Sequence, residues 1–117
     1  MKNILLVDDD KHIRELLTEE LEDDGYQIST APNGKKALSL LTTAPERPDL
    51  VVLDIKMPKM DGLETIGFIL KLKIDVPVII FSAYSGYKND VLAMAADAYV
   101  VKSSNLSELK EKIHELV

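Results

Sequence analysis

The sequence predicts an α/β protein built on a doubly wound, five-stranded parallel sheet. Short apolar runs alternate with amphipathic stretches along all 117 residues, and several of these runs are continuously apolar. Continuous apolar runs are typical of parallel strands that helices cover on both faces. No repeat or low-complexity segment interrupts the pattern. At this length the chain fits one domain, so we expect a single domain over residues 1–117 and no second domain in this chain.

Five apolar runs are the predicted strands. They are NILLV (3–7), YQIST (26–30), LVVLD (50–54), VPVIIFS (76–82) and AYVV (98–101). The alternation implies an open, doubly wound sheet with right-handed crossovers. The small version of that fold is the flavodoxin-like (βα)5 fold, with strand order 2-1-3-4-5. In that order the ligand crevice lies at the carboxyl ends of strands 1 and 3.

Amphipathic spacing predicts helices between the strands. The apolar positions expected to face the core are Ile13, Leu16, Leu17 and Leu21; Ala37, Leu38 and Leu41 in a helix over 35–42; Leu63, Ile66 and Leu70; and Leu106, Leu109, Ile113 and Leu116. Asn105 and Glu108 resemble a capping box at the start of the last helix. The segment AYSGYKNDVLAMAADA has a weak helical signal, so we expect the fourth helix to be short or irregular.

Composition and charge exclude several classes of protein. The net charge of −6 argues against direct nucleic-acid binding, which needs a basic face. No apolar run is long enough for a signal peptide or a membrane span, so we expect no membrane insertion and a cytoplasmic location. The absence of cysteine agrees with a reducing compartment. His12 and His114 fall on polar helix faces and are interpreted as solvated side chains.

Three aspartates converge on the predicted crevice: Asp8 and Asp9 after strand 1, and Asp54 after strand 3. Two like charges ~4 Å apart cost roughly 4 kcal/mol at an effective dielectric constant of ~20, so the cluster needs a counter-charge. Oxygen ligands in an open site favour Mg²⁺, and Lys102 at the end of strand 5 supplies a fixed ammonium group. Asp10 is interpreted as a helix cap.

Together these groups predict phosphoryl transfer. Asp54 is the candidate nucleophile, Mg²⁺ and Lys102 neutralise the phosphoryl oxygens, and Ser82 at the end of strand 4 donates a hydrogen bond to one of them. The residues from Met57 to Gly62 are interpreted as shaping the following loop, with Gly62 permitting the backbone conformation that opens the third helix.

With these residues in these positions, the chain resembles the response-regulator receiver domains (CheY-like) of two-component signalling. The resemblance rests on ILLVDDD, PDLVVLDIKMPKMDG, VPVIIFSA and DAYVVK, in that order, and covers essentially the whole chain. It implies that Asp54 is the phosphoacceptor, that Asp9 binds Mg²⁺ directly and Asp8 through water, and that the Lys56 carbonyl completes the metal site. It also places Ser82 and Tyr99 at the family's switch positions and Lys102 at its lysine.

The resemblance further implies the partners. Phosphorylation by a sensor histidine kinase or phosphotransfer protein would alter the surface of the fourth helix, fifth strand and fifth helix, which a downstream protein effector reads. The chain would act as a monomer or as a phosphorylation-dependent dimer. We expect autodephosphorylation but no multiple-turnover enzyme activity on an external substrate.

The sequence departs from the family where Ser103 and Ser104 follow Lys102 instead of proline. In most members the bond between the lysine and that proline is cis. A cis bond without proline costs ~3 kcal/mol or more, so the loop here either retains a strained cis bond or has a trans bond. Lys56 and Tyr84 flank the path of attacking water and should tune the lifetime of the acyl phosphate. We predict that substituting either residue changes dephosphorylation while leaving phosphorylation possible; unchanged decay in both variants would contradict this.

Three alternatives compete with this interpretation. A flavodoxin-type cofactor binder needs a hydroxyl-rich loop after strand 1, where this chain has aspartates. A haloacid-dehalogenase-type phosphatase needs a second acid two residues after Asp54, where Lys56 stands. The strongest alternative is a receiver-like protein-interaction module that works without phosphorylation.

Overall fold

The computed structural model describes residues 1–43, 47–57, 60–103 and 105–117. The elements follow one another as β1 (Asn3–Val7), α1 (Lys11–Asp23), β2 (Gln27–Ala31), α2 (Gly34–Thr43), β3 (Leu50–Leu53), α3 (Gly62–Lys71), β4 (Val78–Ser82), α4 (Val91–Met94), β5 (Ala98–Val101) and α5 (Ser107–Leu116). The five predicted strands are confirmed, with ends that differ by at most two residues.

The sheet has the predicted order β2-β1-β3-β4-β5, and all four strand pairs are parallel. Val7 pairs with Leu53 at the carboxyl ends of β1 and β3. Because parallel strands end at the same edge of a sheet, this register places Asp8 beside Asp54. The α/β fold class is therefore confirmed.

Side chains that alternate along the strands divide the core into two layers. Leu5, Val7, Val51 and Leu53 face α2, α3 and α4. Ile4, Leu6 and Val52 face the other way, toward α1 and α5. Each β-strand side chain points opposite to its neighbour, so helices on both sides are needed to bury strands that are apolar throughout.

Two of the predicted core positions are wrong. Leu16 of α1 is 47% exposed and Leu70 of α3 is 54% exposed. Adjacent helical residues differ by about 100° around the axis, so only one residue of each pair is buried: Leu17, as predicted, and Ile69, which was not predicted. The predicted positions of His12 and His114 on exposed faces are confirmed.

The capping box lies on a different helix from the predicted one. Asp61 Oδ1 accepts a hydrogen bond from the Glu64 N–H at 2.9 Å, and the Glu64 side chain accepts from the Asp61 N–H at 3.5 Å. Asn105 instead accepts from the Ser107 N–H at 2.9 Å, and the residue that caps α5, Leu106, forms no side-chain hydrogen bond. The predicted capping box at α5 is therefore wrong, because Asn105 lies one residue too early.

The fourth helix is short, as predicted. Only Val91–Met94 are helical, and Asp90 caps them by accepting from the Leu92 N–H at 2.9 Å. Lys102 and Ser103 both belong to the described part of the chain, in which no peptide bond is cis, so the bond between these two residues is trans. Pro58 and Ser104 lie outside the described residues. Within the described ranges, no helix is long and apolar enough to cross a membrane.

Candidate functional site

The loop after β1 separates its three aspartates into different environments. Asp8 is buried at 4% exposure, whereas Asp9 and Asp10 are exposed. Asp10 Oδ1 accepts from the His12 N–H at 2.9 Å and caps α1, as the sequence predicts. Asp8 Oδ1 accepts from the Asp10 N–H at 2.9 Å, which leaves Asp8 Oδ2 directed toward the crevice.

Asp54 follows β3 and is 8% exposed. Its N–H donates to the Val7 carbonyl at 2.9 Å, and its Oδ1 accepts from the Ile55 N–H at 2.8 Å. The backbone behind it packs against Gly62, where an added Cβ would lie 2.1 Å from the Asp54 carbonyl oxygen. The φ of Gly62 is not positive, so its predicted role is wrong: the position needs glycine for close packing against the acceptor strand.

Lys102 joins the two buried carboxylates. Its N–H donates to the Ser82 carbonyl at 2.7 Å, which ties the residue to the end of β4. Its Nζ lies 2.8 Å from Asp8 Oδ2 and 3.2 Å from Asp54 Oδ2. The lysine side chain is 19% exposed, so its ammonium group neutralises the acidic cluster from a partly buried position.

The pKa shifts follow from burial and from these contacts. Burial raises the pKa of Asp54; the Lys102 charge opposes this rise, and the Asp8 charge adds to it. Burial by itself lowers the pKa of Lys102, but the hydrogen bond to Asp8 and the charge of Asp54 outweigh it and leave that pKa raised. Lys102 is therefore held as a cation, whereas the charge on Asp54 is only partly compensated.

Asp8, Asp9 and Asp54 each offer one carboxylate oxygen to a common position. These three oxygens lie within 4.8 Å of one another. A set of hard oxygen ligands with one exposed member fits Mg²⁺, which prefers carboxylates and retains bound waters. The structure thus brings together the three predicted carboxylate ligands; the assignment of the Lys56 carbonyl stays a prediction.

The two predicted switch residues, Ser82 and Tyr99, contact the backbone of the same neighbouring residue. Ser82 is fully buried, and its Oγ accepts from the Tyr84 N–H at 3.1 Å. The Tyr99 hydroxyl donates to the Tyr84 carbonyl, and burial raises the pKa of Tyr99. Tyr84 is 52% exposed at the surface of the β4–α4 loop. Ser82 and Tyr99 are thus linked through the backbone of one residue.

Two residues near the site were not predicted from the sequence. Arg14 Nη1 donates to the Asp8 carbonyl at 2.7 Å and fixes the loop that carries the first carboxylates. Tyr87 packs against the core and places its ring 5.2 Å from Lys56 Nζ. The position of Arg14 six residues after Asp8, about one turn into α1, was a signal in the sequence. No pattern in the sequence indicated Tyr87.

Comparison with known proteins places this geometry in a family. The protein-family model of the response regulator receiver domain matches residues 4–114. Response regulator MprA of Mycolicibacterium vanbaalenii is 37% identical over 116 residues, which are 97% of this chain and 49% of that protein. Probable transcriptional regulator ycf27 of Galdieria sulphuraria is 40% identical over 96% of this chain and 44% of its own length. The chain spans about half the length of these curated relatives.

Solved structures agree with this comparison. Response regulator TrrA of Thermotoga maritima, crystallised in complex with Mg²⁺-BeF, is 52% identical, with a TM-score of 0.92 and full coverage of both chains. The same protein in complex with the histidine kinase ThkA matches with a TM-score of 0.89, covering 100% of this chain and 99% of that one. With its fold, its acidic cluster and these matches, the chain belongs to the receiver domains of two-component response regulators.

Proposed function

We propose that this chain is a signalling switch in which Asp54 accepts a phosphoryl group from a histidine kinase or phosphotransfer protein. One observation carries the proposal. The buried Asp54 carboxylate at the edge of the sheet lies 3.2 Å from an ammonium group that also holds Asp8. Asp8 and Asp9 lie close enough to Asp54 for the three carboxylates to share a metal ion. The complex of a 52% identical regulator with a histidine kinase supports the class of donor.

The reaction needs one nucleophile and a compensated charge. An Asp54 carboxylate oxygen forms a bond to phosphorus while the bond from phosphorus to the donor's imidazole nitrogen breaks, and the imidazole takes up a proton. The product is an acyl phosphate. Lys102 interacts with the charge on the transferred group, and Arg14 holds the backbone of Asp8 in place. When bound at Asp8, Asp9, Asp54 and the Lys56 carbonyl, Mg²⁺ supplies positive charge to the phosphoryl oxygens.

The proposed switch couples the acyl phosphate to a partner surface formed by α4, β5 and α5. The Ser82 hydroxyl, which now accepts from the Tyr84 N–H, would donate to a phosphoryl oxygen, and the Tyr84 backbone would move with it. Tyr99 would follow, since its hydroxyl donates to the Tyr84 carbonyl. A downstream protein effector, or a second copy of the chain, would read the changed surface.

The switch resets by hydrolysis. A water oxygen attacks phosphorus and the bond from phosphorus to the Asp54 oxygen breaks. Inorganic phosphate and a proton are released, and the free Asp54 carboxylate is regenerated. Each cycle consumes the chain's own phosphoryl group, so the proposal includes no multiple-turnover activity on an external substrate.

The test is intact-protein mass spectrometry after incubation with Mg²⁺ and acetyl phosphate. We expect wild type to gain one phosphoryl group, Asp54→Asn to gain none, and the matched control Asp75→Asn, an exposed loop aspartate, to be labelled like wild type. Labelling of Asp54→Asn would move the acceptor to another residue. No labelling of wild type, by acetyl phosphate or by a phosphorylated histidine kinase, would favour an interaction module that works without phosphorylation.

A further inference from the structure

We propose that Tyr87 is a positioning residue that holds the Lys56 ammonium group across the mouth of the acceptor crevice and thereby lengthens the life of the phosphoryl group. The proposal rests on the function proposed for Asp54. It adds a residue that does not touch the reacting atoms and makes Lys56, Tyr84 and Tyr87 a single coupled unit.

The contact joins two loops at the same edge of the sheet. Lys56 lies two residues after Asp54 in the β3–α3 loop, and Tyr87 lies five residues after Ser82 in the β4–α4 loop. Lys56 Nζ is 5.2 Å from the centroid of the Tyr87 ring, within the range of a cation–π contact. The contact therefore bridges the β3–α3 and β4–α4 loops.

Tyr87 is suited to hold another side chain because it is itself held. Its ring is half-buried against the core layer that α2 and α3 cover. It also meets the Tyr84 ring edge to face, with centroids 6.4 Å apart and planes at 89°, a favoured aromatic geometry. The Tyr87 carbonyl accepts from the Asp90 N–H at 3.0 Å, which links the residue to the cap of α4.

Lys56 has no comparable alternative partner in the described part of the chain. It is exposed, and the ion pairs formed by the described residues do not include it. Lys102 already occupies the position between Asp8 and Asp54. The Tyr87 ring thus decides where the Lys56 ammonium lies, and without it the long lysine side chain samples many conformations in water.

A lysine held across the crevice mouth narrows the approach of water to the acyl phosphate. Loss of the ring should release the ammonium and speed hydrolysis. Because the contact is solvent-exposed, its strength limits the change in decay rate to about two- to fivefold. The effect requires Lys56, so it should vanish in a protein that lacks the lysine.

The experiment measures the decay of protein phosphorylated with acetyl phosphate, after the donor is removed and in saturating Mg²⁺. The variants are Tyr87→Leu, Tyr87→Phe, Lys56→Gln and the double variant Tyr87→Leu/Lys56→Gln. Tyr26→Leu is the control for loss of a half-buried ring elsewhere, and Lys71→Gln is the control for loss of an exposed lysine.

We expect Tyr87→Leu to decay about two- to fivefold faster than wild type, and Tyr87→Phe, which keeps the ring face, to lie between them. The double variant should decay at the rate of Lys56→Gln, and both controls should decay like wild type. In the unphosphorylated protein, the side-chain methylene protons of Lys56 should show a ring-current shift that Tyr87→Leu abolishes. This NMR measurement and the Lys56→Gln comparison still test the contact if Tyr87→Leu folds poorly.

Equal decay of wild type and Tyr87→Leu, or strictly additive effects in the double variant, would overturn the role of Tyr87 while leaving phosphorylation of Asp54 intact. If wild type gains no phosphoryl group at all, the proposed function fails first and the inference fails with it. The two failures are distinguishable, because only the second leaves every variant unlabelled.

Discussion

Asp54→Asn should stabilise the folded protein when no divalent cation is present. The substitution removes one negative charge from a cluster in which Asp54 is 8% exposed, and it preserves the size of the side chain. An asparagine oxygen can still accept the hydrogen bond that the Ile55 N–H now donates to Asp54 at 2.8 Å. The expected gain therefore comes from electrostatics and not from altered packing.

The magnitude follows from the distances. A carboxylate oxygen of Asp8 within 4.8 Å of Asp54 repels it by about 3.5 kcal/mol at an effective dielectric constant of ~20. Lys102 at 3.2 Å attracts Asp54 by about 5 kcal/mol on the same scale. The attraction exceeds this repulsion by only about 1.5 kcal/mol. The cost of burying the Asp54 charge, together with the screened repulsion from Asp9, outweighs that difference, in line with the raised pKa of Asp54. We expect a net stabilisation of about 1–3 kcal/mol.

The assay is urea and thermal unfolding at pH 7 in EDTA, with Asp75→Asn as the matched control for an exposed aspartate. For a domain of this size the gain corresponds to a rise in Tm of roughly 4–12 °C, whereas the control should change stability by less than about 0.5 kcal/mol. Mg²⁺ stabilises the folded state that binds it. Its addition should therefore raise the stability of wild type more than that of Asp54→Asn and reduce the stability difference between the two proteins.

The pH dependence has a definite sign. The pKa of Asp54 is raised above 3.8 in the folded state, so the folded protein binds this proton more readily than the unfolded chain does. The resulting stabilisation of wild type is fully present below the ordinary pKa and is lost as the pH rises through the raised pKa. The advantage of Asp54→Asn should therefore shrink as the pH falls toward 3.8. An Asp54→Asn protein no more stable than wild type in EDTA, or an advantage independent of pH and Mg²⁺, would refute this reasoning.

Two further predictions concern single contacts. Lys102→Met should destabilise the protein by about 3 kcal/mol in EDTA, because it leaves Asp8 and Asp54 buried without their cation; urea unfolding should show that Mg²⁺ restores part of the loss, and an unchanged urea midpoint would contradict the role of the ion pair. Asp61→Ala should cost about 1 kcal/mol by removing the capping box that it forms with Glu64 at the start of α3, whereas an equal loss from Asn105→Ala, which stands outside the helix cap of α5, is not expected.

The sequence sufficed for the fold because the strands are apolar throughout and the helices have an apolar face. Continuous apolar runs are easily told apart from the helical spacing of apolar residues, and they predicted every strand to within two residues. The apolar spacing was less informative about which of two adjacent apolar residues at the edge of a helix's apolar face is buried. Leu16 and Leu70 are as apolar as Leu17 and Ile69, and only the placement of each helix on the sheet decides which of them meets the core.

The acidic site was predictable because strand ends are fixed by topology. Once the order of the strands is known, Asp8 and Asp54 must meet at one edge, and the need for a counter-charge indicates Lys102. The reason for Gly62 was not predictable in the same way. Its requirement comes from contact with the Asp54 backbone, which depends on how closely α3 approaches β3.

By itself, then, the sequence determined the strands, the two-sided core and the fold class, because these follow from the apolar pattern. The known strand order of that fold class then brings Asp8, Asp9, Asp54 and Lys102 to one edge of the sheet. Only the tertiary structure decided how the side chains pair there. Lys102 lies closer to Asp8 than to Asp54, and Lys56 turns to the Tyr87 ring. Those choices depend on distances of a few ångströms between loops that are far apart along the chain, and no local pattern encodes them.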